Sequence, residues 1–303
     1  MERVSPSARP SPPAGARELF FPLPRAGEGW VEGKRSASTQ RGFTLMEAVL
    51  VIALTGIVAV MVGVFIRAPV TAYVDQARRG ELTDAADTAL RRIAREVQHA
   101  LPNSVRVNGG ALEFLPVSAG GRYRAAPRAD GSGDFLDVDS GTDNSFEVLV
   151  PGGVDVAPGQ RLVIYNLTDD DAYSGASSRV LTSSGSGLAT LSYAVGGAQF
   201  PFASPSHRFQ VIGPPVSFVC DGAGSLRRYS GYAMQAAQPT STGTPPLSTA
   251  SSNTLLTHLV GSDCSFSYTA VSARNGLLTL RLKLTSSGES VTLVQQIHVS
   301  TSP

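Results

Sequence analysis

The longest apolar stretch covers residues 43–66, 24 positions whose only charge is Glu47. As a helix rising about 1.5 Å per residue, it spans roughly 36 Å against about 30 Å of bilayer hydrocarbon. The pattern predicts a membrane-crossing helix. A cleaved secretory signal competes, but its apolar core should be about 7–15 residues and end at small residues. This run is longer, and no such site follows it. Beyond it, Val70, Val74, Ala77, Leu82, Ala86, Leu90, Ile93, Val97 and Leu101 recur at three- to five-residue spacing. Arg78, Arg79, Glu81, Asp84, Asp87, Arg91, Arg92, Arg95 and Glu96 fill the other face. That is the period of a helix with one buried stripe. One helix is therefore expected over 43–101, kinked by Pro69 near the outer surface of the membrane and ended by Pro102.

After Pro102 the period changes. Short alternating runs at 111–117, 146–150, 161–166, 207–212 and 216–220 are bounded by Gly, Pro, Asp and Asn, and read as strands. The clearest run places Leu278, Leu280, Leu282 and Leu284 on one face and Thr279, Arg281, Lys283 and Thr285 on the other. Ser286-Ser287-Gly288 then turns into Val291, Leu293, Ile297 and Val299, which predicts a terminal hairpin. A sheet laid on the helix buries both apolar faces, so the fold class is α+β, a long N-terminal helix packed on an antiparallel β-rich domain over 102–303. Residues 236–253, rich in Ser, Thr and Pro, are expected to form a mobile loop.

Composition narrows the setting. Charged residues are 16% of the 303 and the net charge is +1, which gives no general pull toward nucleic acid. The two cysteines, Cys220 and Cys264, fit either a disulfide in an oxidising compartment or two buried thiols. A bridge closing that loop would stabilise the fold by roughly 4 kcal/mol. Residues 1–42 carry Pro6, Pro10, Pro12, Pro13, Pro22 and Pro24 and show no apolar period, so no folded element is expected there. They end in Lys34, Arg35 and Arg41, a basic flank that favours a cytoplasmic N-terminus.

The string Arg41-Gly42-Phe43-Thr44-Leu45-Met46-Glu47 opens the apolar run. Gly42 suits an extended scissile bond, and Phe43 would head an apolar helix with a free amine. A carboxylate inside such a span costs about 2.5–3.5 kcal/mol, so Glu47 needs a reason to be there. The string resembles the class III signal of type IV prepilins and type II secretion pseudopilins. The resemblance implies a pilin-like fold, a cut after Gly42 by a membrane peptidase, methylation of Phe43, and pairing of Glu47 with a neighbouring subunit's amine. Such pairing would offset the desolvation of both charges. Segments at 90–97, 100–107, 218–222, 276–280 and 288–293 resemble the MshO-type minor pilins of mannose-sensitive haemagglutinin (MSHA) pili.

The partners this implies are prepilin peptidase, other major and minor pilins, and an inner-membrane assembly platform. The leader, at 42 residues, is long for that family, and Val31 would give a 12-residue leader if its codon initiates.

Chemistry-bearing residues elsewhere point to no cofactor and no enzyme. His99, His207, His258 and His298 lack metal-ligand spacing, and no Gly-x-Ser-x-Gly elbow is present. Asp130, Asp134, Asp139 and Asp143, with Glu147, form an acidic Gly-rich stretch that is a weak calcium candidate without EF-hand spacing. Asp169-Asp170-Asp171 reads as a turn, and Arg227-Arg228 beside Tyr229 and Tyr232 as a strand face rather than a nucleic-acid contact. Three functions remain: a minor pilin, a type II secretion minor pseudopilin, and an adhesin mounted on a pilin helix. A membrane-anchored hydrolase is the least supported.

Overall fold

Strong helix formers, chiefly leucine and alanine, outweigh the isolated Gly56, Gly63, Pro69 and Gly80, so the first element is long: helix α1 runs Leu45–Gln98 and continues through Pro69. The structure is a computed structural model that describes residues 42–196, 199–259, 263–272 and 275–303. The expected leader, with Val31 and the basic flank, lies outside the described residues apart from Gly42. The chain divides between Met61 and Val62 into two units, each described by itself.

In the first unit, the helix is exposed on every side; over α1 as a whole, the most apolar 18-residue window has a mean hydropathy of 3.0.

In the second unit, α1 is followed by β1 (Arg106–Asn108), β2 (Ala111–Phe114), β3 (Val117–Arg122), β4 (Ser145–Glu147), β5 (Val154–Val156) and β6 (Arg161–Val163). The short helix α2 (Asp171–Ser174) precedes β7 (Ser178–Val180), β8 (Gly185–Leu188), β9 (Thr190–Ser192), β10 (Arg208–Ile212) and β11 (Val216–Cys220). The chain ends in β12 (Leu226–Ser230), β13 (Ser251–Leu256), β14 (Ser265–Ser272), β15 (Asn275–Ser286) and β16 (Glu289–Ser300). Every strand pairing is antiparallel.

Two sheets meet the helix. One has the order β1-β2-β11-β12-β13, the other β14-β15-β16. Leu82, Ala86, Ala89, Leu90, Ile93 and Val97 of α1 share one core with Leu112, Phe114 and Phe218 of the first sheet and Leu278, Leu280, Leu282 and Leu284 of the second. The four leucines are at most 1% exposed, and the period of two that predicted a hairpin is what aims them at the helix. Each such burial is worth about 1.5–3 kcal/mol. Ser287 (φ 51°) and Gly288 (φ 89°) form the two-residue connection between β15 and β16, the mirror-image turn whose twist suits a hairpin.

The rest of the domain is an insert. Between the paired neighbours β2 and β11, the chain leaves to build a lobe from β3 to β10, with the sheet β3-β10-β6-β7 and the ribbons β4-β9 and β5-β8. Its own core holds Tyr123, Phe146, Leu162, Tyr193, Phe200 and Phe209. A smaller cluster of Leu101, Leu115, Val163, Tyr173 and Ile212 joins this lobe to the base of the helix.

Several expectations shift. The helix stops at Gln98 rather than 101, because the main chain beyond it pairs elsewhere. Leu101 donates to Leu115 O at 2.8 Å and His99 O accepts from Val117 at 2.9 Å. Val70, Val74 and Ala77 stay exposed, and burial of the stripe begins at Leu82. An ion pair between Arg79 and Glu289, at the start of β16, lies one turn before that point. The single strand expected over 111–117 is two strands in different sheets, β2 and β3, divided at Pro116, which has no N–H to give a ladder.

The stretch 236–253 is not a free loop. Arg106 holds the carbonyls of Gln235 (2.8 Å) and Ala236 (2.6 Å), Leu247 is 1% exposed, and β13 begins at Ser251.

Candidate functional site

Gly42, Phe43 and Glu47 sit at the exposed head of α1, with Phe43 78% exposed. Thr44 caps this helix: its Oγ1 accepts the Glu47 N–H at 3.2 Å, and its carbonyl accepts Ala48 N–H at 3.1 Å. Thr44-x-x-Glu47 is the spacing of a capping box, in which the first polar side chain satisfies one of the four donors a helix start leaves open. This second use of the motif was readable in the sequence and escaped the reading above. Glu47 therefore stands in the first turn of α1, its N–H held by Thr44.

Pro69 lies seven turns further on, inside α1. Its missing N–H leaves the Phe65 carbonyl without the usual partner. Close by, the Thr71 hydroxyl donates to the carbonyls of Arg67 and Ala68, each at 3.0 Å.

Cys220 and Cys264 are joined in a disulfide with Cα atoms 6.4 Å apart. The bridge packs on the β1–β2 turn. A Cβ placed at Gly110 would stand 3.4 Å from the Cys220 Cβ, and Gly110 O accepts Cys220 N–H at 2.9 Å. It ties the end of β11 to the residue before β14, linking the two sheets that cover the helix.

The acidic candidates are not brought around one point. Asp130 accepts the N–H (2.9 Å) and hydroxyl (2.6 Å) of Ser132, and these bonds hold its carboxyl below the ordinary range. Asp143 accepts the Asp137 N–H at 2.7 Å, and burial pushes its carboxyl up. Asp139 gives its own N–H to Asp137 at 3.0 Å. Asp134 lends its main-chain carbonyl to Glu147 N–H at 2.9 Å. Glu147 is bound by Arg124 (2.6 Å) and Arg128 (2.9 Å), which lower its carboxyl. Among the described residues, no group of three His, Cys, Asp or Glu is placed to hold a metal ion.

Arg228 lies on β12 and reaches Glu96 of α1 at 2.8 Å, bridging sheet to helix, while Tyr229 and Tyr232 are buried. Asp171 accepts the N–H groups of Leu167 (3.3 Å) and Thr168 (3.0 Å) at the start of α2.

The sequence reading missed the most buried charged residue among those described. Glu113 is fully buried and meets the Arg106 Nε at 2.7 Å. It also accepts the Tyr232 hydroxyl at 2.9 Å, and Tyr232 lies 2.6 Å from Ser217 Oγ. Burial raises the Glu113 carboxyl, against the pull of Arg106. The Arg106 guanidinium lies 3.6 Å from the Tyr173 ring centre. The signal was Gly109-Gly110, a two-residue turn that sets Arg106 opposite Glu113.

The fold is α+β and pilin-like, a long N-terminal apolar helix followed by an antiparallel β-rich domain. Residues 37–63 match the family model described as the prokaryotic N-terminal methylation motif. No curated protein and no solved structure matches the chain. The motif is that of pilin and pseudopilin subunits, which are structural proteins processed by prepilin peptidase for assembly at the membrane. With one N-terminal apolar helix, it fits a single-pass inner-membrane protein.

Proposed function

We propose that the chain is a minor pilin of the MshO type, serving a type IV, MSHA-like pilus. Prepilin peptidase cuts after Gly42 and methylates Phe43. Residues 43–66 then hold the subunit in the inner membrane with residues 102–303 in the periplasm. On assembly the same helix becomes part of the fibre core, where Glu47 faces the amine of a neighbouring subunit. Pro69 bends the helix where it leaves the membrane.

One observation carries this reading. The methylation motif falls on the exposed head of α1, within an apolar run over 43–66 whose single charge is Glu47. A carboxylate in that position is costly unless a partner charge meets it.

The test is intact mass and N-terminal sequencing of the protein from cells with and without prepilin peptidase. An N-methylated Phe43 terminus is expected only when the peptidase is present. A product that still carries residues 31–42 in peptidase-positive cells overturns the proposal.

A further inference from the structure

Arg161 on β6 stands across from Val180, at the end of β7, on the inserted lobe. Its Nε and Nη2 donate to Ser178 Oγ at 3.2 and 3.0 Å, and Nη2 also reaches Ser178 O at 3.3 Å. Nη1 makes no hydrogen bond among the described residues, and no carboxylate reaches this half-buried cation. Beside it lies a second positive charge. Arg179 is 7% exposed, and its guanidinium is fixed by the carbonyls of Ala176 (3.1 Å), Ser178 (2.8 Å) and Gln199 (2.7 Å).

Both arginines line one cleft of about 610 Å³, with Ser174 and Ser178 on one side and Val180, Val195 and Pro201 on another. The described lining contains no Asp or Glu. Two cations held near each other repel, and a half-buried guanidinium such as Arg161, met by no carboxylate among the described residues, is costlier than one in water. Burial and the Arg179 charge both push the Arg161 guanidinium below its ordinary value. The open Nη1 is a charged donor suited to a carboxylate or phosphate oxygen. The volume is that of a site for a small molecule, and the apolar wall suits the carbon frame of such a ligand.

We propose that this cleft binds a small organic oxyanion, with Arg161 as the direct contact and Arg179 as a fixed positive charge behind it. The anionic group meets the open Nη1 of Arg161, and the carbon frame rests on Val180, Val195 and Pro201. The site belongs to the insert and does not depend on how the N-terminus is processed.

The experiment is calorimetric titration of the full-length protein in detergent with glucuronate, with inorganic phosphate, and with glucose as a neutral control. Saturable binding of one or both anions, and none of glucose, is expected. Glucuronate alone identifies a carboxylate ligand, and phosphate alone a phosphorylated one. Arg161→Gln should weaken the bound anion at least about tenfold while the unfolding temperature stays put. Ala194→Trp, which fills the mouth of the cleft and leaves both charges, should weaken it too. Binding that survives both folded variants overturns the proposal, as does equal binding of glucose or no saturable binding of either anion.

Discussion

Arg106 and Glu113 face each other across the β1–β2 turn, joined at 2.7 Å, with the carboxylate completely out of water. A buried pair of this kind is costly to break from one side. Arg106→Met strands the Glu113 charge and releases the carbonyls of Gln235 and Ala236 together. It should lower stability by about 3–5 kcal/mol in chemical denaturation. Glu113→Gln, which can still accept from Arg106, should cost clearly less.

The same pair sets a pH dependence. Burial raises the folded Glu113 carboxyl above its ordinary value of about 4.5, so the folded state holds this proton more tightly than the unfolded chain. Stability from this group therefore falls as pH rises from about 4.5 to the raised folded value. Wild type should lose stability relative to Glu113→Gln over that range. Parallel pH profiles of the two denaturation midpoints would refute the assignment.

Removing the disulfide should matter through the length of the loop it closes. Cys220 and Cys264 are 44 residues apart, for which chain entropy gives about 4 kcal/mol. Cys220→Ser with Cys264→Ser is expected to show that loss in thermal or urea melts. The unreduced wild type and the wild type in reductant give the matching comparison.

At the head of α1, the Glu47 carboxylate and the cap supplied by Thr44 can be tested separately. Glu47→Val should leave cleavage largely intact and impair incorporation into fibres. Thr44→Ala removes the cap, worth about 1 kcal/mol at a helix start, and keeps the carboxylate. Normal incorporation of Thr44→Ala beside failure of Glu47→Val points to charge pairing. Equal failure of both shows that the helix start as a whole matters, and normal assembly of Glu47→Val counts against charge pairing.

The inserted lobe has its own core, and Phe146 at its centre is fully buried. Phe146→Ala should cost about 3–5 kcal/mol. Hydrogen exchange should quicken within 117–212 while β15 and β16 remain protected, since stability is not uniform across separate cores. Uniform quickening would show that lobe and sheet unfold as one.

The parts legible in the sequence were those whose period is long and whose partners are close. Leu278 to Leu284 alternate strictly and meet their hairpin mate across two residues, so the last sheet could be read directly. The stripe from Leu82 to Val97 was equally plain. The insert was legible only in part: the runs at 146–150, 161–166 and 207–212 overlap β4, β6 and β10, whereas β5, β7 and β9 are three residues long, too short for an alternation to stand out. Its main sheet also pairs β3 with β10, about ninety positions apart in the chain, which no local pattern announces. Residues 236–253 looked loose because their anchors, Arg106 and the buried Leu247 pocket, are a side chain far upstream and a single apolar residue. At the candidate processing site the motif stood out by composition, whereas the cap at Thr44 is a geometric relation that composition does not express.

Phe114 and Val216 are paired partners at the point where the lobe leaves the central sheet and returns to it. Cross-strand Cα atoms lie about 5 Å apart, so everything between those residues enters and exits through one narrow doorway. Such a segment behaves as a cassette. It can be exchanged without redirecting the strands on either side, provided the replacement covers Leu101 and Leu115 as Val163, Tyr173 and Ile212 do. A lineage carrying this scaffold can therefore change what it presents to its surroundings while the rod and the sheet that clasps it stay as they are.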